Sequence, residues 1–425
     1  MPNDTTKLPE IVNEVPGPRS RELAKRLADV ESRNVTCLVP DAPIFWERAT
    51  GANVFDVDGN RYVDLGGGFG VANVGHAHPR VVAAIQEQAA RLLHGMGDVH
   101  PAAVKVELLE ALSARFPGGG AARSVLTSSG SDAVETALKT AILATGHAGV
   151  VAFEGGYHGL SLGALDATAR ADFRDPFRAR LPDATVFARY GDAADAERAA
   201  DRARLPIGAI LVEPIQGRGG ERVPPEGFLA ALRALCDRRG WLLIADEVYT
   251  GFGRTGRTFA CEHEGVVPDL LCLGKGLASG MPLSACMGRE AVMAAWPASA
   301  GEALHTQTYL GHPPSCAAAL ASLAVLDEEG LVARSAELGA RALARLREAA
   351  GGIPGVREIR GRGLMLGIVC DGPARAASAA KRCLERGVIL LPSGDDGTVL
   401  SITPPLVIGE EALFHALDVL IESLR

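Results

Sequence analysis

The stretch Trp241-Leu-Leu-Ile-Ala-Asp-Glu-Val248 joins a short apolar run to two adjacent acids. A run of this length predicts a buried strand, and Asp246 and Glu247 would lie at its carboxyl end. Open α/β sheets bind their ligands at that edge, so the segment is a candidate ligand site as well as a strand. Taken alone, it is also compatible with an ordinary acidic loop, and the surrounding sequence has to distinguish the two.

The sequence around this stretch alternates between helical and strand patterns from residue 76 to residue 330. Helices are predicted at residues 81–94, 103–116, 132–145 and 227–239. Strands are predicted at residues 124–127, 150–153, 209–212, 241–245, 270–273 and 284–287. This alternation predicts right-handed βαβ units and a mostly parallel sheet that helices cover on both faces. We therefore expect an α/β fold with a large domain over residues 76–330.

The flanking regions predict a smaller α+β domain. Over residues 331–425, helices are predicted at 332–350, 374–386 and 410–424, and strands at 363–369, 388–391 and 399–402. Residues 1–75 would add strands at 53–57 and 61–64, and the turn Asp58-Gly59-Asn60 between them is typical of a hairpin. Residues 1–20 are polar and contain proline, so we expect them to form a loosely held arm.

The composition is that of an ordinary globular protein. Of 425 residues, 47% are hydrophobic and 22% charged, and the net charge is −8, which argues against nucleic acid or an anionic membrane surface as the main partner. There is no apolar run of membrane-spanning length, and the N-terminus MPNDTTKLPE lacks a signal-peptide pattern. None of the eight cysteines forms a Cys-x-x-Cys pair, so we expect reduced core thiols, no metal site and a cytoplasmic location.

A lysine flanked by glycines follows the next predicted strand, in Leu270-Leu-Cys-Leu-Gly-Lys-Gly276. Lysine is strongly hydrated, and burial beside a strand lowers its pKa and makes a neutral, nucleophilic amine available. Such an amine can form a Schiff base with a carbonyl compound. The alternative is a simple turn lysine, but Lys275 and Asp246 at the ends of two strands together indicate a cofactor site.

Two glycine-containing turns allow more than one interpretation. Ser128-Ser-Gly-Ser-Asp132 opens a predicted helix, where Ser129 and Asp132 fit a capping box. A strand that enters a helix through such a turn also offers backbone N–H groups to a phosphate. Gly251-Phe-Gly-Arg-Thr-Gly256 matches the dinucleotide-binding fingerprint, but no clear helix follows it, and we reject that interpretation.

Several short motifs follow one another between about residue 40 and the C-terminus. They are Ser129-Gly-Ser-Asp-Ala133, Gly156-Tyr-His-Gly159, Glu213-Pro-Ile-Gln-Gly217, Ala245-Asp-Glu-Val248, Gly274-Lys-Gly276 and Thr308-Tyr-x-Gly-His-Pro313. In kind and order they resemble the class III (omega) aminotransferases, a family that includes 4-aminobutyrate and ornithine aminotransferases and related racemases. The resemblance implies a fold type I enzyme that uses pyridoxal 5′-phosphate (PLP), with a large domain and a smaller one.

The resemblance also implies a role for each motif residue. Lys275 would hold PLP as a Schiff base and move the substrate proton, and Asp246 would keep the pyridine nitrogen protonated. The other cofactor-binding residues would be Gly130 and Ser131 at the phosphate, Tyr157 and Val248 on the two ring faces, and His158 and Gln216 around the phenolic oxygen and the surroundings of the ring. Thr308 would reach the phosphate in the neighbouring subunit, which implies a homodimer with shared active sites and leaves a tetramer open.

Three positions depart from the residues that handle dicarboxylates in the 4-aminobutyrate and ornithine aminotransferases. This chain has Leu160 and Ser401 where those enzymes have arginine, and Arg218 where they have glutamate. Arginine binds carboxylates through paired hydrogen bonds, so a 2-oxoglutarate site should be weakened. Arg218 could supply a relocated cation or point to solvent. Trp46 and Phe69 are candidate walls of the substrate pocket, with core packing as the alternative.

Transamination is the leading function. An amino group would move from an amine or amino acid to a 2-oxo acid, either pyruvate or 2-oxoglutarate. The alternative is an amino-acid racemase or epimerase on the same scaffold, because that branch has members without arginine at the positions of Leu160 and Ser401. Both reactions begin with the same carbanion and differ in which carbon is reprotonated. A non-catalytic binding protein is a third possibility, but binding alone requires neither Lys275 nor Asp246.

Overall fold

A computed structural model of the chain describes residues 7–36 and 43–425. Its strands are β1 Trp46–Thr50, β2 Asn53–Asp56, β3 Arg61–Asp64, β4 Ala122–Thr127, β5 Gly149–Phe153, β6 Thr185–Ala188, β7 Ile207–Val212, β8 Leu242–Asp246, β9 Leu270–Leu273, β10 Ser284–Arg289, β11 Val356–Arg362, β12 Met365–Cys370, β13 Val388–Ile389, β14 Leu391–Ser393 and β15 Val399–Ile402. Its α-helices are α1 Pro18–Val30, α2 Gly67–Gly70, α3 Pro79–Arg91, α4 Ala103–Ser113, α5 Gly130–Thr145, α6 Leu162–Ala167, α7 Ala171–Arg174, α8 Ala193–Asp201, α9 Phe228–Arg239, α10 Glu290–Met293, α11 Pro313–Glu328, α12 Leu331–Ala350, α13 Pro373–Glu385 and α14 Glu410–Leu424. Within these described ranges, no helix is both long and apolar enough to cross a membrane.

Seven strands form the central sheet, in the order β4-β10-β9-β8-β7-β5-β6. Neighbours run parallel except at β10, which is antiparallel to both β4 and β9. Alternate residues of the inner strands enter two separate apolar clusters, such as Val150 and Ala152 on one face and Val151 and Phe153 on the other. A sheet buried on both faces is what parallel strands require, and the predicted α/β fold is confirmed.

Two four-stranded sheets have the orders β1-β2-β3-β13 and β11-β12-β15-β14. The first joins the early hairpin to the C-terminal region, because β13 pairs in parallel with β3. The predicted single strand at residues 388–391 is wrong: β13 ends at Ile389, and β14 begins at Leu391 and pairs with β15. Leu390 between them is buried, and the chain passes from one sheet to the other at this residue.

Some edge elements have no counterpart among the predicted ones. β6 and β11 lie at the ends of their sheets and are only partly buried, so neither needs the apolar run that marks an inner strand. The sequence of β11, Val-Arg-Glu-Ile-Arg-Gly-Arg, is mostly polar for this reason.

The N-terminal segment is anchored along residues 7–20 and is not the loose arm that its composition predicted. Asn60 Oδ1 accepts hydrogen bonds from the backbone N–H groups of Val12 and Asn13, at 2.9 and 2.8 Å. The Asp58 carboxylate accepts from the backbone N–H and the hydroxyl of Ser20, at 2.9 and 2.6 Å. The polar turn of the early hairpin therefore binds the segment. Residues 1–6 lie outside the described ranges.

The glycine-containing turn at residues 251–256 connects the central sheet to the C-terminal region. A 3-10 helix, Ala260–Glu264, follows it instead of the α-helix that a dinucleotide site requires. Arg254 within it is fully buried and donates to the carbonyl oxygens of Leu364 and Pro404, at 3.0 and 2.6 Å, and to Asn73 Oδ1 at 2.7 Å. This residue fixes the chain just after β15 against the loop that follows β8.

We expect Gly339→Ala to destabilise the fold, although alanine favours helices. Gly339 lies in α12, and a Cβ atom there would overlap the backbone of Gly363. Overpacking against backbone should cost about 1–3 kcal/mol of unfolding free energy, measured by chemical denaturation. Gly352→Ala is the control, because a Cβ atom at Gly352 meets nothing within 4 Å. Equal stability of the two variants would show that α12 does not pack in this way.

Candidate active site

The two strands that carry Asp246 and Lys275 are neighbours and run parallel. Asp246 is the last residue of β8 and pairs with Cys272 in β9, and Lys275 follows two residues after β9 ends. Both side chains therefore lie at the carboxyl edge of the sheet, as their sequence positions predicted. Asp246 is 5% exposed and lies close enough to Lys275 for its charge to act on the pKa of the amine.

The Lys275 amine is held in a partly buried, strained position. Its backbone φ is +38°, in the left-handed region that a lysine rarely adopts. Burial lowers the pKa of the amine, and the charges of Asp246 and Glu213 oppose this shift only in part. Lys275 Nζ lies 4.6 Å from the centre of the Tyr249 ring. A lowered pKa makes the neutral, nucleophilic amine more available near neutral pH.

Asp246 is fixed by two hydrogen bonds. His158 Nδ1 lies 2.7 Å from Asp246 Oδ2, and the Val248 N–H donates to Oδ1 at 3.1 Å. Burial lowers the pKa of His158, but its hydrogen bond with Asp246 and the charge of that carboxylate outweigh burial and raise it. The structure thus places His158 against Asp246, the carboxylate that the resemblance assigns to the ring nitrogen of the cofactor.

Tyr157 and Arg218 form one side of the site. The Tyr157 N–H donates to Glu213 Oε1 at 2.9 Å, and the Tyr157 ring meets that of Phe173 edge-on at 5.9 Å. The Arg218 guanidinium lies 5.0 Å from the centre of the Tyr157 ring and 5.3 Å from that of Phe173. Arg218 is exposed, yet it is held over these rings, and its charge helps to lower the pKa of Lys275.

The turn before α5 contains the predicted serine cap and leaves two backbone N–H groups without an acceptor in the described ranges. Ser129 caps the helix, and its hydroxyl accepts from the Asp132 N–H at 3.3 Å. Among the described residues, none accepts a hydrogen bond from the N–H of Gly130 or of Ser131. The Ser131 hydroxyl donates to Ser161 Oγ at 2.7 Å and accepts from the Ser161 N–H at 3.0 Å. The turn therefore presents backbone donors, while the Ser131 hydroxyl is already bonded.

The remaining predicted cofactor residues lie around this centre. Val248 packs between Gly130 and Gly274, where a Cβ atom on either glycine would crowd it. The Gln216 side chain donates to the Glu154 carbonyl at 2.8 Å, and its Oε1 is buried with no hydrogen-bond partner in the described ranges. Thr308 is exposed.

The predicted substrate residues fall into two groups. Trp46 and Phe69 are 45% and 66% exposed, so neither packs in the core. Leu160 is likewise 50% exposed. Ser401 is almost fully buried, and its hydroxyl donates to Glu221 Oε1 at 2.5 Å.

Two residues of this region escaped the sequence analysis. Tyr249 directly follows the Asp-Glu-Val motif, so its place beside Lys275 could have been inferred from its spacing to Asp246. Glu221 follows two glycines, and no pattern indicates that it is buried. Its contact with Ser401 joins residues 180 positions apart in the sequence.

The donors and acceptors of this site fit PLP. The free N–H groups of Gly130 and Ser131 suit a phosphate, and the Asp246 carboxylate suits a protonated ring nitrogen. The Lys275 amine can form a Schiff base with an aldehyde. Gln216 Oε1 has no hydrogen-bond partner in the described ranges and can accept a hydrogen bond from a bound cofactor.

Comparisons with known proteins point the same way. The family model for class III aminotransferases matches residues 37–424. The acetylornithine aminotransferase of Methanopyrus kandleri is 41% identical, over 90% of this chain and 95% of the relative. The 4-aminobutyrate aminotransferase of Mycobacterium leprae is 38% identical, over 97% of each chain. The ornithine aminotransferase of Toxoplasma gondii, whose structure shows partial occupancy of PLP at the active site, has a TM-score of 0.86 at 32% identity and covers 95% of this chain and 94% of its own.

Proposed function

Because the chain belongs to the class III aminotransferase family, we propose that it transfers an amino group from an amine or amino acid to pyruvate or 2-oxoglutarate at the site around Lys275. PLP is the cofactor of this family. The observation that carries the proposal is the arrangement of two groups at one sheet edge: an amine whose pKa burial lowers, and a buried carboxylate fixed by a histidine.

Each residue contributes one part of the chemistry. Bound PLP supplies the electron sink for the negative charge that develops at the donor carbon. Lys275 Nζ would bind the cofactor covalently and later remove and return the donor proton, a role for which a lowered pKa prepares an amine. Asp246, oriented by His158, would hold a proton on the ring nitrogen.

The other contacts would position the cofactor. Gly130 and Ser131 would bind the phosphate through their backbone N–H groups, which have no other acceptor in the described chain. Tyr157 and Val248 would confine the ring on its two faces. The free Gln216 oxygen would accept from a group at the ring edge, and Thr308 would serve the site of the neighbouring subunit.

The experiment that tests this function combines absorbance with product analysis. Purified protein with bound PLP is mixed with a panel of amines and amino acids, and both the visible cofactor band and the carbonyl product are followed. Loss of the band with release of a carbonyl product would support transamination. A persistent band, with exchange of the donor α-hydrogen for solvent and no carbonyl product, would instead establish the racemase reaction.

We expect Arg218→Ala to raise the KM for a 2-oxo acid about 10- to 100-fold, with little change in kcat, since a charged hydrogen bond contributes about 1.5–3 kcal/mol. Arg218 lies over Tyr157 with its charge exposed, which suits the carboxylate of an incoming acceptor. Arg178→Ala is the control, because Arg178 is also exposed but is bonded to Asp175 at 3.0 Å. An unchanged KM in Arg218→Ala would show that Arg218 does not contact the carboxylate of the acceptor.

The functional unit that we propose is a homodimer. Exposed apolar side chains cluster in residues 92–99 and 304–309, and the rings of His94 and Tyr309 bring the two segments together at 5.4 Å. An apolar surface of this kind usually has a partner, and Thr308 lies within it. We also place the protein in the cytoplasm, since all seven described cysteines are free and buried; Cys37 lies outside the described ranges.

Leu93→Glu should convert the dimer to a monomer and remove most of the activity. Leu93 is 62% exposed within this apolar surface, and a buried carboxylate at a dimer interface would be unpaired. Sedimentation velocity gives the mass of the particle. Val30→Glu, at an 83% exposed position elsewhere, should leave the mass unchanged. The proposed dimer would be wrong if the wild-type protein sedimented as a monomer, and the proposed interface would be wrong if Leu93→Glu remained a dimer.

A further inference from the structure

Three arginines near Phe173 have guanidinium groups without a hydrogen-bond acceptor. Those of Arg170 and Arg218 lie 5.2 and 5.3 Å from the centre of the Phe173 ring. The guanidinium of Arg174 lies 4.8 Å from the centre of the Phe187 ring. Across residues 7–36 and 43–425, no oxygen accepts a hydrogen bond from any of the three, and Nε of Arg170 and of Arg174 is buried without a partner. Aromatic rings therefore hold these charges while their polar hydrogens remain unused.

The positive charge of this group is poorly neutralised. Arg174 follows Arg170 by one helical turn, because its N–H donates to the Arg170 carbonyl at 3.4 Å, and like charges at this spacing repel each other. In the described chain, Arg170 has one ion pair: Asp172 lies 3.7 Å from it, beyond hydrogen-bonding distance, and is 81% exposed. An exposed pair of this kind contributes little, so an anion would find unopposed positive charge here.

Solvent reaches the guanidinium groups of Arg170 and Arg218. The side chain of Arg170 is 29% exposed, and Arg218 is exposed. At Arg170 the backbone, not the side chain, supports the local fold, because its carbonyl accepts from the N–H groups of Phe173 and Arg174, at 3.2 and 3.4 Å. An anion can therefore approach these two guanidinium groups without displacing a hydrogen bond of the described chain.

Arg218 connects Arg170 to the site around Lys275. Its guanidinium lies 5.0 Å from the centre of the Tyr157 ring, and its charge acts on the pKa of the Lys275 amine. Because Arg170 and Arg218 both lie over Phe173, their guanidinium carbons are separated by no more than the sum of their two distances from the ring centre. A ligand with two carboxylates on a short carbon chain can reach both groups.

We propose that Arg170 determines acceptor specificity by binding the second carboxylate of a dicarboxylic 2-oxo acid, whose first carboxylate lies on Arg218. This inference rests on the proposed function and specifies its acceptor. A guanidinium binds a carboxylate through paired hydrogen bonds, and the donors of Arg170 are not used elsewhere in the described chain. Arg170 and Arg218 would then supply the two cations that are missing at Leu160 and Ser401, from different positions in the chain.

A purely structural role would make Arg170 a cover for the Phe173 ring that keeps α7 in place. Loss of such a cover would affect every acceptor alike. Selection between acceptors of similar size that differ in the distal charge is what distinguishes recognition from structure.

The test compares 2-oxoglutarate with 2-oxopentanoate, in which a methyl group replaces the second carboxylate. With the best donor of the panel, wild-type kcat/KM should be at least about 5-fold higher for 2-oxoglutarate, as expected for a charged hydrogen bond at a partly exposed position. In Arg170→Gln the ratio should fall close to one through a higher KM for 2-oxoglutarate, with kcat/KM for 2-oxopentanoate nearly unchanged. Arg170→Lys, which keeps the charge and loses the paired donors, should give an intermediate ratio. The control Arg178→Gln, at an exposed arginine bonded to Asp175, should keep the wild-type ratio.

Equilibrium binding gives a second readout without turnover. Glutarate and pentanoate lack the reactive oxo group, and calorimetry on the protein with bound PLP should show tighter binding of glutarate, a difference that Arg170→Gln should remove. A wild-type ratio near one, which needs no variant to fold, or a ratio that survives in Arg170→Gln, would overturn the inference. If 2-oxopentanoate is used as well as 2-oxoglutarate, only this inference fails; if no donor is converted with any 2-oxo acid, the proposed function fails.

Discussion

Replacing Lys275 by alanine is expected to lower kcat by a factor on the order of 10⁴ or more, since it removes both a covalent attachment and a general base. The lysine cannot be replaced by a neighbour, because its amine occupies one position over the Tyr249 ring and beside Asp246. Steady-state rates with the best donor of the panel measure the loss. The visible band of the bound cofactor should shift at the same time, because its bond to the protein is gone.

The Lys275→Ala result has a chemical control. Added methylamine should restore part of the turnover, because a small amine can fill the space of the missing side chain and act as the base. Lys25→Ala, at an exposed position in α1, should retain wild-type rates. A Lys275→Ala protein with more than a tenth of wild-type activity would mean that another residue performs the chemistry.

Asp246→Asn is expected to lower kcat by about 10²–10³-fold, the range seen when one preorganised electrostatic group is lost. Asparagine has nearly the same shape, so His158 can still donate to the side-chain oxygen and the fold should persist. What is lost is the negative charge that holds a proton on the ring nitrogen of the cofactor. Rates at saturating donor measure the effect, and the circular dichroism spectrum should be unchanged.

Glu247 provides the contrast for Asp246. Its carboxylate accepts from the backbone N–H groups of Ala260 and Cys261, at 2.9 and 2.8 Å, and therefore holds the chain in place without facing the site. Glu247→Gln should lower the free energy of unfolding and leave kcat nearly unchanged. If Asp246→Asn changed kcat by less than about 3-fold, the assigned electrostatic role would be wrong.

The central sheet and the two main site residues follow from local patterns. Apolar runs of four to six residues mark inner strands because both of their faces are buried, and β5, β7 and β9 have this character. Once neighbouring strands run parallel, residues that follow them share one edge. That is why the positions of Asp246 and Lys275 could be inferred before their contacts were known.

The rest of the site depends on contacts between distant segments. The approach of Gly70 and Gly217 to the Tyr249 ring, and the bond between Glu221 and Ser401, arise only when the central sheet packs against the C-terminal strands. The break at Leu390 also depends on distant contacts, because β13 before it pairs with β3 and β14 after it pairs with β15. A single sequence contains no periodic pattern that indicates contacts between distant segments. The residues around the substrate were therefore harder to predict than Asp246 and Lys275.

The most direct test of the account is to identify the residue that binds the cofactor. The protein is loaded with PLP, reduced with borohydride to make the linkage permanent, digested, and analysed by mass spectrometry. We predict one cofactor per chain, attached to Lys275, and none in Lys275→Ala. Attachment to a different lysine, or no attachment in the presence of excess PLP, would contradict the central claim.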